Sequence, residues 1–262
     1  HSAAVGRATS YFSAGAAFSD RTGGIGFYQF LEDAAKHFEE KKASIIAGLK
    51  RVSALLFTAE NMTVSYTADA AGLAALPASL ELLKKRLPAG TGTRYPFVWE
   101  RGNRNEGFMT SSQVNYVARC GTFAGSGFSY TGALKTLKPI LGYDYLWINV
   151  RVKGGAYGVM NGAGRSGEGY FVSYRDPNLR ETDEVFEKVV SYLEQFDADE
   201  RDMTKYVIGT ISDMDAPLLP AYKGMRGDSA WFSGVTDEML ARERREVLSV
   251  TPADIRALAK AI

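Results

Sequence analysis

Histidine is nearly missing from this chain: its 262 residues include two, His1 and His37. A zinc hydrolase needs closely spaced imidazoles and carboxylates, as in H-x-x-E-H or H-E-x-x-H, which set two histidines on one helix face beside a general base. Around His37 the chain reads HFEEK, with no second imidazole, so His37 is expected to be a helix-surface histidine. No three-ligand site can be assembled, and neither a metal nor a cofactor is expected in this chain. Cysteine is scarcer still. The single Cys120 excludes an internal disulfide framework. In NYVARCGTF it reads as a small hydrophobe on a buried strand, and neither histidine is placed to make it a nucleophile.

An excess of one charge is also missing. Lys and Arg number 31 against 30 Asp and Glu, a formal net charge of +1. That balance gives no support to a phosphate-backbone partner, so no nucleic acid is expected. No apolar run approaches the roughly 20 residues of a membrane span, and no membrane partner is expected. HSAAVGRATSYFSAG lacks the charged and apolar regions of a secretory signal. It reads as a boundary stretch, with no role for His1. Two further templates fail. GRSGEG around Ser166 has Glu168 where a nucleophile elbow needs glycine. GGAYGVMNGAG lacks the Gly-Lys-Ser/Thr ending of a phosphate loop.

What is present is ordinary for a globular protein: 45% hydrophobic and 23% charged residues, enough for one large domain or two. Residues 27–57 carry apolar side chains three and four apart, which predicts two consecutive helices or one bent one. MTVSYTAD alternates Met62, Val64 and Tyr66 with polar residues and predicts a half-buried strand. SLELLKKRLPAG predicts a short helix stopped by Pro88 and Gly90. Residues 91–113 show no period and read as a linker. VNYVARCGTF predicts a strand, and TGALKTLKPILGYDYLWINVRV a helix kinked or broken at Pro139. AYGVMNGAG and GEGYFVSYRDP predict an antiparallel hairpin. Four helical stretches follow, the first with Val185, Val189, Tyr192, Leu193 and Phe196 on one face, the last opening at Thr251, Pro252 and Asp254. This order is an α+β pattern.

The stretch VRVKGGAYG sets Arg151 six positions before Tyr157 across two glycines. On one reading Arg151 is a solvated helix end, the glycines stop the helix and Tyr157 starts a strand. On the other, a guanidinium and a phenol are held to grip a peptide backbone.

A resemblance bears on the choice. GALKTLKPILGYDYLWINVRVKGGAYG, followed by SGEGYFVSYRDPNLRETDEVFEKVVSYLEQF, resembles the C-terminal half of the presequence-protease subfamily of pitrilysin/insulinase-type zinc metallopeptidases. The likeness continues through DERDMTKYVIGTISDMDAP and VLSVTPADIRALA, and covers GGIGFYQFLEDAAKHFEEK and MTVSYTAD. RVKGGAYG and SYRDPNL are its most specific parts. The resemblance implies a clamshell of four homologous domains, two per half, degrading unfolded peptides inside the cell. It implies zinc, its inverted ligand motif and the glutamate base in the first domain, and so a full-length parent that binds zinc through residues absent here. The partners it implies are the N-terminal catalytic half of the same protein and peptide substrates.

In fold terms the resemblance implies a LuxS/MPP-like metallohydrolase α/β sandwich, with a mostly antiparallel sheet and helices packed on one face. Residues 1–90 would be the C-terminal part of the third peptidase-like domain, 91–113 a linker, and 114–262 the fourth, lacking its last strand. In this family an arginine and a tyrosine of the fourth domain reach toward the zinc site, and by position they match Arg151 and Tyr157. Both would bind substrate, and Tyr157 would support the oxyanion. Two alternatives stay open: a stand-alone non-catalytic partner subunit, and a binding module for extended peptides. An H-x-x-E-H segment upstream in the same reading frame separates them from the enzyme reading.

Overall fold

The computed structural model describes residues 1–90 and 94–262. Residues 91–93, the start of the expected linker, lie outside the described residues. In chain order the first elements are helices α1 (Ser2–Thr9), α2 (Ala14–Gly23), α3 (Ile25–Lys36), α4 (Phe38–Leu56) and α5 (Ala70–Arg86). Strand β1 (Ala118–Thr122) and helix α6 (Gly132–Ile140) follow, then two π-helical stretches, Leu141–Tyr145 and Trp147–Lys153. Strands β2 (Gly158–Ala163) and β3 (Glu168–Tyr174) come next. The chain continues with helices α7 (Arg180–Glu187), α8 (Val189–Glu194), α9 (Glu200–Met214), α10 (Pro220–Ser233), α11 (Asp237–Leu248) and α12 (Pro252–Ala257). Packing divides these elements into two compact units. The first comprises residues 1–28, 98–216 and 237–262, and the second residues 29–97 and 217–236. The units are interleaved along the chain, whereas the domains read from sequence are consecutive stretches.

The first unit is built on an antiparallel sheet of order β1-β3-β2. The predicted hairpin forms: β2 pairs with β3 from Gly158↔Tyr174 to Ala163↔Gly169, and its turn is closed by the Gly164 N–H donating to the Glu168 carbonyl at 2.8 Å. On the other edge, Arg119 lies opposite Phe171 and Cys120 opposite Tyr170. Neighbouring residues on a strand point to opposite faces. Phe171 stacks on Phe186 of α7, with ring centres 5.7 Å apart, and Arg119 reaches Asp183 at 3.2 Å. Cys120 points the other way, its thiol 3.9 Å from the Val5 carbonyl of α1. Helices thus cover both faces of this sheet, which corrects the expectation of a single helical layer. The reason lies in β3, whose run Phe171, Val172 and Ser173 is buried on both sides and so needs a cover on each.

The larger core lies on the Phe171 side. It gathers Leu134, Leu137, Ile140, Leu141, Leu146 and Val150 against Phe186, Val189, Leu193, Phe196, Ile255 and Leu258. Of the face expected on α7 and α8, Val189, Leu193 and Phe196 are buried, while Val185 and Tyr192 pack at the edge. Phe186, not part of that expected face, makes the stack on the sheet. Each such side chain removed from water contributes roughly 1.5–3 kcal/mol. The terminal helix starts where the sequence places it, with Thr251 and Asp254 capping each other's backbone N–H groups.

In the second unit α3 and α4 are the predicted consecutive helices, and α5 ends at Arg86, just before Pro88. The predicted strand does not form. Residues 62–69 carry no ladder among the described residues, because alternation makes a strand only where a neighbouring edge supplies hydrogen-bond partners. The apolar stripe of α4 is likewise uncovered: no residue of that helix is buried, and Phe38, Leu49, Val52 and Leu56 are exposed. Residues 94–110 form neither helix nor strand. From Val98 onward they belong to the first unit. There Gly102 N–H donates to the Tyr11 carbonyl at 2.7 Å and Arg7 pairs with Glu106 at 2.7 Å.

Candidate functional site

The site begins with a proline. Pro139 sits inside α6, where it cannot donate a backbone hydrogen bond. Two residues later the helix widens, and the Leu146 N–H reaches back five residues to the Leu141 carbonyl. The expected break is therefore a change of helical register rather than an end. Wide π turns are uncommon and concentrate at functional positions. Here they keep Leu146 and Val150 in the core while Trp147 and Arg151 face outward.

Two glycines then reverse the chain. A Cβ on Gly154 would lie 2.5 Å from the Val150 carbonyl oxygen, so only glycine fits that close approach. Gly155 adopts φ 81°, the left-handed region that glycine enters without penalty. Ala156 is buried, and its N–H donates to the Val150 carbonyl at 3.2 Å. The Tyr157 N–H donates to the carbonyls of Tyr174 and Arg175, at 3.1 and 3.3 Å. The turn is pinned on both sides.

The second pin is the SYRDPNL loop. Asp176 is fully buried, and its carboxylate accepts the Asn178 N–H at 2.9 Å and the Thr182 hydroxyl at 2.7 Å. Its backbone exchanges two hydrogen bonds with Asn115, at 2.7 and 3.0 Å. The Asn178 side chain donates to the Gly154 carbonyl at 2.5 Å, tying this loop to the glycine turn. Arg175 is caught between β3 and that anchor at φ 49°, the one positive φ on a non-glycine residue among the described residues. Such a conformation costs about 1–2 kcal/mol, and persists only where the surroundings impose it.

On this scaffold the two residues singled out from sequence come together. The Arg151 guanidinium lies 4.0 Å above the Trp147 ring centre and 5.8 Å from that of Tyr157. The Tyr157 ring meets Tyr174 edge-on at 5.8 Å and is 64% exposed. Among the described residues its hydroxyl has no hydrogen-bond partner, and Arg151 has no carboxylate partner. A stacked guanidinium keeps all five N–H donors, and a free phenol keeps one. Trp147, Arg175, Asp176 and Asn178 were not legible as site residues. The motif SYRDPNL was visible, but only the fold reveals that it buttresses the turn.

The other candidates fall elsewhere. Cys120 is half-buried between sheet and α1, and burial pushes its thiol up to about 11, away from nucleophilic use. His37 is not on a helix face as expected but at the exposed junction of α3 and α4, its Nδ1 3.0 Å from Asp33. Among the described residues no group of three His, Cys, Asp or Glu side chains is placed to hold a metal ion. The residues present do not fit a zinc ion. No described helix is long and apolar enough to cross a membrane.

The fold and site define a helix-rich α+β unit displaying an arginine–tyrosine pair, with no metal-binding group among the described residues. The family model of the PreP C-terminal domain matches residues 105–262, and the chain belongs to that family. Protein HypA of Clostridium perfringens is 38% identical over this whole chain, which spans 27% of its length. Presequence protease 1, chloroplastic/mitochondrial, of Arabidopsis thaliana is 32% identical over the whole chain, which spans 24% of it. The chain thus corresponds to about a quarter of each relative. A solved structure described as a peptidase M16 inactive domain, from Pseudomonas fluorescens, is similar over 77% of this chain and 48% of its own, at 16% identity and a TM-score of 0.47.

Proposed function

We propose that this chain is the non-zinc-binding C-terminal part of a clamshell oligopeptidase that degrades unfolded peptides. Arg151 and Tyr157 would supply substrate binding and transition-state support to a hydrolytic centre in the N-terminal half. Zinc in such a parent would belong to that half, and no step is assigned to it here. The observation that carries the reading is the Tyr157 hydroxyl, exposed and unpartnered on a rigid turn beside the unpaired Arg151 guanidinium. Packing alone gives no reason to hold a phenol outward between two arginines.

The roles follow from the chemistry. Amide hydrolysis passes through a tetrahedral intermediate whose carbonyl oxygen gains charge, and a fixed O–H donor is most useful where that charge develops. Tyr157 supplies that donor. Arg151 supplies a planar fork for carbonyls of an extended peptide, and stacking on Trp147 fixes its orientation. In domain terms, residues 1–90 and 114–262 are proposed on sequence likeness as parts of a third and a fourth LuxS/MPP-like domain, joined through 91–113. The compact packing units follow other boundaries.

The test uses the intact parent enzyme. Tyr157→Phe is expected to lower kcat by about 10²–10³-fold, the usual loss for one such donor. KM should change less, because the bond strengthens mainly in the transition state. Arg151→Lys is also expected to impair activity, since an ammonium cannot replace the fork. Unchanged kcat in both variants would sink the reading.

A further inference from the structure

Arg175 is the residue of this site that neither packing nor the proposed roles explain. Its guanidinium lies 5.9 Å from the Tyr157 ring centre and 5.5 Å from that of Tyr174. Among the described residues it has no ion-pair partner, and it is exposed. The adjacent carboxylate is engaged: Asp176 is buried and takes the Asn178 and Thr182 donors. The left-handed backbone at Arg175 is imposed by the Asp176 anchor, so the direction in which this side chain leaves the surface is fixed.

The spacing is informative. Arg151 and Arg175 each lie within 6 Å of the Tyr157 ring centre, so their guanidiniums are at most about 12 Å apart. An extended peptide advances roughly 3.3 Å per residue. A peptide held at Arg151 and Tyr157 therefore brings a group one to three residues away within reach of Arg175. A desolvated backbone carbonyl is satisfied by one donor. An unpaired, aromatic-flanked guanidinium is matched best by a carboxylate, which it binds through two parallel N–H···O bonds.

We propose that Arg175 is a second recognition arginine of this site, and that it takes a carboxylate of the bound peptide. This rests on the preceding reading that peptides lie across Arg151 and Tyr157. The carboxylate is either an acidic side chain or the peptide's C-terminus, which share the same chemistry. Arg175 is a specificity-determining residue, not a catalytic one.

The experiment is equilibrium binding of labelled unstructured peptides to the intact parent protein, read by fluorescence anisotropy, so the result does not depend on turnover. Three probes share one sequence: one with a glutamate and an amidated end, one with glutamine and a free end, one with glutamine and an amidated end. Wild type is expected to prefer at least one carboxylate probe over the neutral one. Arg175→Gln should weaken that probe about tenfold, at the low end of the 1.5–3 kcal/mol of a charged hydrogen bond, and leave the neutral probe within about twofold. The probe that loses affinity identifies which carboxylate is read.

Arg175→Gly guards against misfolding, because glycine suits φ 49° and should keep or raise the melting temperature while losing the same preference. Equal effects on charged and neutral probes, or no effect on any, overturn the proposal. Tyr157→Phe kept apart in a turnover assay tests the oxyanion reading separately. If turnover survives that change, the oxyanion role fails while the Arg175 result stands on binding alone.

Discussion

At the residue scale, Asp176 shows how a buried charge can serve a surface site. Its two side-chain acceptors satisfy Asn178 and Thr182, and its backbone closes on Asn115. Asp176→Ala leaves the buried Thr182 hydroxyl and the Asn178 N–H without their acceptors. Each orphaned donor costs about 1–3 kcal/mol, so the variant is expected to lose about 2–6 kcal/mol in denaturant unfolding. The Asn178 bond to Gly154 should loosen with it, so peptide binding should weaken even though Asp176 touches no peptide. An unfolding midpoint within error of wild type would show that the loop is held by its backbone alone. Tyr157→Phe is the opposite case: it removes an exposed hydroxyl with no partner, and is expected to change turnover without changing stability.

At the element scale, the segment that follows the second unit is tied to α1 and α2 by ionic contacts rather than by apolar burial. Arg7 donates to Glu106 at 2.7 and 3.0 Å and to Asp20 at 2.8 Å. The hydrogen bonds from Arg7 hold the Glu106 carboxyl down at about 2, against an ordinary 4.5. A carboxylate depressed in the folded state stabilises it at neutral pH, and that contribution fades as pH falls from about 4.5 toward 2. Glu106→Gln is expected to be less stable than wild type above about pH 5, with the two converging near pH 2. Urea unfolding of both across that range checks it, and a difference independent of pH would assign the contact no ionic character. The pair is partly exposed, so salt should shrink the difference.

At the scale of the whole molecule, apolar cover is uneven. The first unit has a dense core, whereas α4 buries none of its residues and 62–69 is extended without a ladder. The chain spans about a quarter of its relatives' length. Purified alone, the chain is expected to hold no stoichiometric zinc and to cleave no peptide, because its described residues form no metal-binding group. Metal analysis with a fluorogenic peptide assay measures both. One tightly held zinc per chain, or cleavage abolished by a chelator, would refute the division of labour.

The sequence by itself determined whatever depends on neighbours along the chain. The three- and four-residue periods of α3, α4, α7 and α8, the glycine-joined hairpin of β2 and β3, and the Thr251 cap report local geometry, and each formed where its pattern lies. Arg151 and Tyr157 were singled out through the family resemblance, because the residues alone fit a helix end and a strand start equally well; the fold sets the guanidinium 5.8 Å from the Tyr157 ring centre. Tertiary structure decided the rest. Alternation at Met62, Val64 and Tyr66 made no strand, since a ladder needs a second edge that local pattern cannot supply. The register change after Pro139 depends on a core that holds Leu146 and Val150 inward. Arg175 comes beside Tyr157 only in the fold, where its backbone takes the left-handed region next to the buried Asp176, itself bonded to Asn115 some sixty residues earlier.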